Sequence, residues 1–203
     1  VDDQAGDIEH GIRERLGANV LLHHIPLGSH DEFVGMCDLI ENVAYIWKEE
    51  GKDSPWETVP LDQVKSRFNF ATSRDNDWID ELPKLRQDAL ETALALDDDA
   101  FMTFVETGEF DPAMLKACIR KGTVTGQLVP VFCGSSFKNK GVQQLLDAVI
   151  AYMPYPGENG GISMVDPDGN IIGTQEVSDD APARALAFKV INDQFGTLTF
   201  ARI

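Results

Sequence analysis

Residues 127–153, QLVPVFCGSSFKNKGVQQLLDAVIAYM, decide the fold of this 203-residue chain. They predict a buried strand from Leu128 to Cys133, a tight loop from Gly134 to Lys140, and then a helix. Val142, Leu145, Leu146, Val149, Ile150 and Met153 recur at helical spacing and form one apolar face, which is expected to pack on a sheet. A strand whose carboxyl end feeds a Gly/Ser loop into a helix is where open α/β sheets hold their ligands. Backbone N–H groups at Ser135, Ser136 and Phe137 are therefore candidate donors to a polar ligand. Turn chemistry alone is the other reading of the same loop.

Composition bounds the rest. With 43% hydrophobic residues the chain can bury a sizeable core in one or two domains. It does not begin with Met, carries no signal-peptide pattern, and has no apolar run near the roughly 20 residues of a membrane helix. The expectation is a soluble, cytoplasmic, internal piece of a longer protein. Cys37, Cys118 and Cys133 are odd in number, far apart and in apolar contexts, which points to free buried thiols and not to a metal site. The net charge of −17, from 34 acidic against 17 basic residues, repels phosphate backbones. Direct RNA binding is not expected; basic protein partners are.

On the amino-terminal side, Asp7–Leu16 has helical spacing of Ile8, Ile12 and Leu16, with Gly17 placed as its cap. Val20–Leu27, Phe33–Ile40 and Val43–Trp47 then predict an antiparallel meander. Trp56–Leu61 contains Pro60 and belongs at an edge. His23, His24 and His30 tempt a metal reading, but adjacent residues on one strand face opposite sides, so none is expected. Asp31 and Glu32 are read as loop solvation.

Asn69–Asp80 reads as a flexible connection, followed by three helices. The first, from about Glu81 to Leu96, has Pro83 in its first turn and an inward face of Leu82, Leu85, Ala89, Ala93 and Leu96. One of Asp97, Asp98 and Asp99 should cap the second, Ala100–Thr107, which Gly108 ends. Asp111, Pro112 and Gly122 mark the third, Pro112–Lys121. Lys84, Asp88, Glu91 and Ala95 share the outward face of the first helix, and Asp97–Asp99 follow at its end. That face is either solvated charge or a docking strip. Pro154–Gly161 reads as a linker. A hairpin turning at Asp166–Gly169 follows, then a second hairpin of Ala185–Ile191 and Thr197–Ile203.

Four stretches, in order and spread along essentially the whole chain, resemble elongation factor G, a translational GTPase. They are GIRERLGAN (11–19), IPLGSHDEFVGMCDLIENVAYIW (25–47), CGSSFKNKGVQQLLDAVIAYMPYP (133–156) and SDDAPARALAFKVINDQFGTLTFARI (178–203). The resemblance implies an α/β fold with an α+β insert: part of a P-loop GTPase G domain, an inserted G prime subdomain, and incomplete strands of a β-barrel. The domains would be a G-domain helix at 1–19, the insertion at 20–122, the end of the G domain at 123–157, and a linker with the first barrel strands at 158–203. It implies that the backbone of Ser135, Ser136 and Phe137 reads guanine, with Ser136 standing where the family usually has Ala. It implies that Asp88, Glu91, Asp97 and Asp98 dock the basic C-terminal domain of the ribosomal stalk protein, with Ala95 standing where a carboxylate is often found. The parent would bind GTP or GDP with magnesium and act on the ribosome. This chain has no Gly-x4-Gly-Lys-Ser/Thr loop and no Asn-Lys-x-Asp motif. No cofactor, no GTPase activity and no measurable guanine-nucleotide affinity are therefore expected of it alone. Two hairpins cannot close a barrel, so self-association through unpaired strands, or packing on the G-domain residues, is expected. Class-3 peptide release factors share the plan and are the nearest alternative, although FKNKGVQQLLDAV favours the elongation factor. An acidic interaction domain without nucleotide binding is the alternative from another class.

Overall fold

The computed structural model describes residues 4–28, 33–48, 55–67, 73–159 and 161–202. His30, Asp31 and Glu32 lie outside the described residues. The chain divides into two compact units, Val1–Met153 and Pro154–Ile203.

In the first unit, α1 (Gln4–Leu16) ends on Gly17, whose φ of 62° and N–H bond to the Arg13 carbonyl make the expected cap. Strand β1 (Val20–Leu22) pairs in parallel with β6 (Val129–Val131). The flanking Asn19 carbonyl accepts from the Val129 N–H at 2.8 Å. Segments more than a hundred residues apart in sequence thus share one layer. Between them runs an antiparallel meander in the order β2 (His24–Leu27), β3 (Gly35–Asp38), β4 (Val43–Trp47), β5 (Trp56–Pro60). As expected, β5 is an edge, where Pro60 leaves no ladder acceptor without a donor.

The helices are α2 (Leu61–Arg67), α3 (Ser73–Leu94), α4 (Asp98–Thr107), α5 (Pro112–Val124) and α6 (Val142–Tyr152). Asp97 caps α4 by accepting from the Ala100 N–H at 3.1 Å, and Gly108 closes it at φ 72°. Asp111 caps α5, with Pro112 in its first turn. Leu21, Leu39, Leu90, Leu94, Leu115 and Ile119 form the centre of one continuous core that joins meander, helices and parallel pair. Each such side chain contributes about 1.5–3 kcal/mol by leaving water.

Several expectations are corrected. Helix α3 begins at Ser73, so residues 73–80 are helical instead of a flexible connection, and Pro83 sits well inside the helix. Packing carries the helix backwards: Ile79 and Leu82 are buried, and Asp80 meets Lys65 of α2. Gly122 does not terminate α5 but lies within it, because a Cβ there would stand 2.4 Å from Leu96 Cδ1 and 2.8 Å from Leu128 Cβ. The left-handed position comes later, at Gly126 with φ 71°.

The deciding stretch folds as strand, loop and helix, but not buried as expected. Val129 is 40% exposed, and Leu145, Leu146, Val149 and Ile150 are open to solvent; Ala148 and Tyr152 turn inward instead. Among the described residues the parallel sheet has only two strands, too few to cover that apolar face.

The second unit holds a short 3-10 turn (Pro156–Asn159) and two hairpins, β7 (Ile162–Val165) with β8 (Ile171–Gln175), and β9 (Leu186–Asp193) with β10 (Gly196–Arg202). The first turns where expected, with the Asp166 carboxylate accepting from the N–H groups of Asp168 and Asn170. Every residue of β9 and β10 is exposed, Phe188 and Phe200 included.

Candidate functional site

The loop after β6 is locked at its base. Ser135 and Lys140 exchange both backbone hydrogen bonds, at 2.8 and 2.9 Å, and Asn139 donates to the Ser136 carbonyl. Lys140, only 4% exposed, donates Nζ to the Phe33 carbonyl at 2.9 Å and so ties the loop to the entry of β3. Gly141, at φ 82°, leaves no room for a Cβ between Met36 and the Cys133 carbonyl. The loop therefore stands at the carboxyl end of a strand with its tip outward, and Phe137 is fully exposed. Of the three candidate backbone donors, Ser135 is already committed to Lys140; Ser136 and Phe137 donate to no other described residue.

The acidic residues lie where their spacing put them. Asp88 and Asp98 are exposed, and Glu91 is half-buried, its Oε1 accepting from Gln87 at 2.7 Å. Asp97 differs in kind, because its carboxylate is used to cap α4. The strip is thus two exposed carboxylates, a half-buried one bonded to Gln87, and one structural cap.

Sequence reasoning missed a third cluster. His23 and His24 were expected on opposite faces of one strand, but the run Val20–Leu27 is two strands in two sheets, and His23 is the residue between them. Its N–H donates to Val131 of β6, while its carbonyl accepts from Leu39 just beyond β3. The alternation of sides resets at that crossing, and both rings turn to Asp38. His23 Nδ1 stands 3.5 Å from Asp38 Oδ1 and His24 Nε2 stands 3.3 Å from Oδ2, with all three residues buried. The Ile40 and Glu41 N–H groups donate to Oδ1 at 3.0 and 2.9 Å. His23 Nε2 reaches the Tyr152 hydroxyl of α6 at 3.1 Å, and both rings pack on Phe132.

Burial pushes the His23 imidazole down to about 4, against the pull of Asp38, so the ring is neutral at physiological pH. For Asp38, burial pushes the carboxyl up, but the His24 hydrogen bond, the two imidazoles and the Glu41 N–H outweigh it and hold it below the usual carboxylate range. A cavity of about 260 Å³ opens beside the cluster, lined also by Glu41, Tyr45, Gln144 and Asp147. Cys37, Cys118 and Cys133 are free thiols as expected, and burial raises each of them, Cys133 to about 12. Among the described residues no helix is long and apolar enough to cross a membrane.

No protein-family model matches the chain. It is 41% identical over 196 residues to elongation factor G 2 of Vibrio cholerae, covering 95% of this chain and 26% of that protein. It is 39% identical over 199 residues to elongation factor G of Gluconobacter oxydans, with the same coverage of each. A crystal structure of a Thermus thermophilus protein superposes with a TM-score of 0.65 at 21% identity, over 99% of this chain and 25% of that one, and shows the shared fold. The chain spans about a quarter of the length of the curated relatives it matches. Over nearly all of its residues, then, this chain is a homologue of elongation factor G.

Proposed function

We propose that the chain works as part of a translational GTPase that moves tRNA and mRNA on the ribosome in the cytoplasm, and that its own share of that work is docking. The observation that carries this reading is the similarity to elongation factor G along 95% of the chain. In the whole GTPase, which binds GTP or GDP with magnesium, the 135–137 loop reads guanine. The N–H groups of Ser136 and Phe137, which donate to no other described residue, are its base contacts, while Ser135 holds the loop closed. The residues before position 20 and those of 123–157 belong to the G domain, the meander with α2–α5 is the G prime insertion, and the hairpins after residue 158 begin a β-barrel. The exposed edges of β9 and β10 are completed by further strands or by a second copy of the chain.

The acidic face of α3 and the start of α4 receives the basic C-terminal domain of the ribosomal stalk protein. Exposed opposite charges of this kind steer association and are screened beyond about 10 Å at 0.1 M salt. Titrating the chain with purified stalk C-terminal domain should therefore show binding that weakens as salt rises. Glu91→Lys with Asp98→Lys should weaken it about tenfold, from roughly 1 kcal/mol or less per exposed pair. Both positions avoid the Asp97 cap, so the fold is preserved. Affinity unchanged by salt and by the double variant would reject the docking face.

A further inference from the structure

We propose that His23, His24 and Asp38 form a transition-metal site, of the borderline class best met by Zn²⁺, at the point where the chain passes from the parallel pair into the meander. One ligand atom from each of the three residues lies within 4.8 Å of the others. The His24 Nε2 to Asp38 Oδ2 separation of 3.3 Å is the edge of a tetrahedron with metal–ligand bonds of about 2.0 Å. The longest separation must shorten by rotation of the rings, for which the adjoining cavity leaves room. Two buried imidazole nitrogens, His23 Nδ1 and His24 Nδ1, have no hydrogen-bond partner within the described protein, His23 Nδ1 standing 3.5 Å from Asp38 Oδ1. Without an ion or water beside them both stay unsatisfied, at a cost buried polar atoms rarely bear. Metal on His23 Nδ1 answers one of them directly.

The surroundings are those of a metal ligand set. His23 Nε2 meets the Tyr152 hydroxyl, the partner that fixes ring tautomer and orientation. Asp38 Oδ1 is held by the Ile40 and Glu41 N–H groups, leaving Oδ2 toward His24. Glu41 and Asp147 add negative charge to the cavity wall; Lys116, also in that wall, is paired with Glu41 at 2.6 Å. With three protein ligands, the fourth position faces the cavity, where the buried Gln144 Oε1 lacks a donor and would accept from a metal-bound water. Such an ion would bind α6 to the meander through Tyr152. The site does not depend on the docking reading above.

The test uses the 203-residue chain freed of metal by chelator and titrated with Co²⁺ and Zn²⁺. We expect one ion per chain, an intense visible d–d spectrum of tetrahedral cobalt that zinc abolishes, and a higher melting temperature with zinc. Tyr152→Phe, which keeps the ring, should lower affinity roughly tenfold, as removal of a ligand's partner does. His24→Gln should abolish the cobalt spectrum. Absence of stoichiometric binding to the unaltered chain would overturn the site. So would binding that survives His24→Gln but is lost with the exposed His10→Ala.

Discussion

Gly35→Ala should lower the unfolding free energy of the first unit by about 3 kcal/mol or more, one of the largest losses available to a single methyl group here. The glycine is not needed for its dihedral freedom; it is needed because β3 and β4 approach too closely for a side chain. A Cβ at position 35 would stand 2.1 Å from the Tyr45 carbonyl oxygen and 3.1 Å from the Ile46 Cα, both of them backbone. No rotamer relieves a clash with main chain, so the strands must part. Gly35 is also paired with Leu27 of β2, and the Val34 carbonyl accepts from Trp47, so the opening spreads to both neighbours. Buried Ile46 and Trp47 would loosen with it. Gly108→Ala is the comparison: nothing lies within 4 Å of a Cβ there, and only the left-handed backbone at φ 72° resists, at about 1–2 kcal/mol. Trp47, Trp56 and Trp78 all lie in the first unit, so urea unfolding followed by tryptophan fluorescence reports on it alone. Equal losses for the two variants would show that the strand spacing is not the constraint described.

Local chemistry was legible in the sequence wherever a single residue does a single local job. Asp97, Asp111, Gly17 and Gly108 cap the helices they were expected to cap, because capping depends on a few neighbouring backbone atoms. The meander order and the edge position of β5 followed from short polar breaks and one proline. What stayed hidden depends on partners distant in sequence. Gly122 looks like a helix terminator, and only the approach of Leu96 and Leu128 shows that it is a contact point. The α6 stripe promises burial, but a stripe cannot say how many strands stand opposite it. The acidic strip was readable as charge, whereas the structural use of Asp97 within it was readable only as one of three possible caps. The histidine cluster was missed for a sharper reason: strand alternation holds only while a strand stays in one sheet. A signal was present, since the eight-residue run Val20–Leu27 is long for these strands and has two adjacent polar residues at its middle. Such a polar break inside an apolar run marks a place where the chain can change partners.

Asp38→Ala should cost about 3–5 kcal/mol, measured by the same tryptophan-detected unfolding in chelator, because the carboxylate answers several buried donors at once. Its Oδ1 accepts from the Ile40 and Glu41 N–H groups, which turn the chain out of β3, and its Oδ2 faces His24 Nε2. Alanine leaves two backbone donors and one imidazole without an acceptor, each worth about 1–3 kcal/mol when buried and unsatisfied, partly offset as water enters the adjoining cavity. Asp38→Asn separates shape from charge. Its carbonyl oxygen can still accept from Ile40 and Glu41, but its amide donates and cannot answer His24 as Oδ2 does, so the loss should be about half that of alanine. Adding His24→Gln to Asp38→Ala should cost less than the two changes summed, since the second removes a group the first has already orphaned. Strict additivity would mean that His24 and Asp38 act separately. A cost for alanine below about 1 kcal/mol would mean that the turn after β3 does not lean on the carboxylate. The cluster at the sheet crossing would then be a consequence of the fold and not one of the things that hold it.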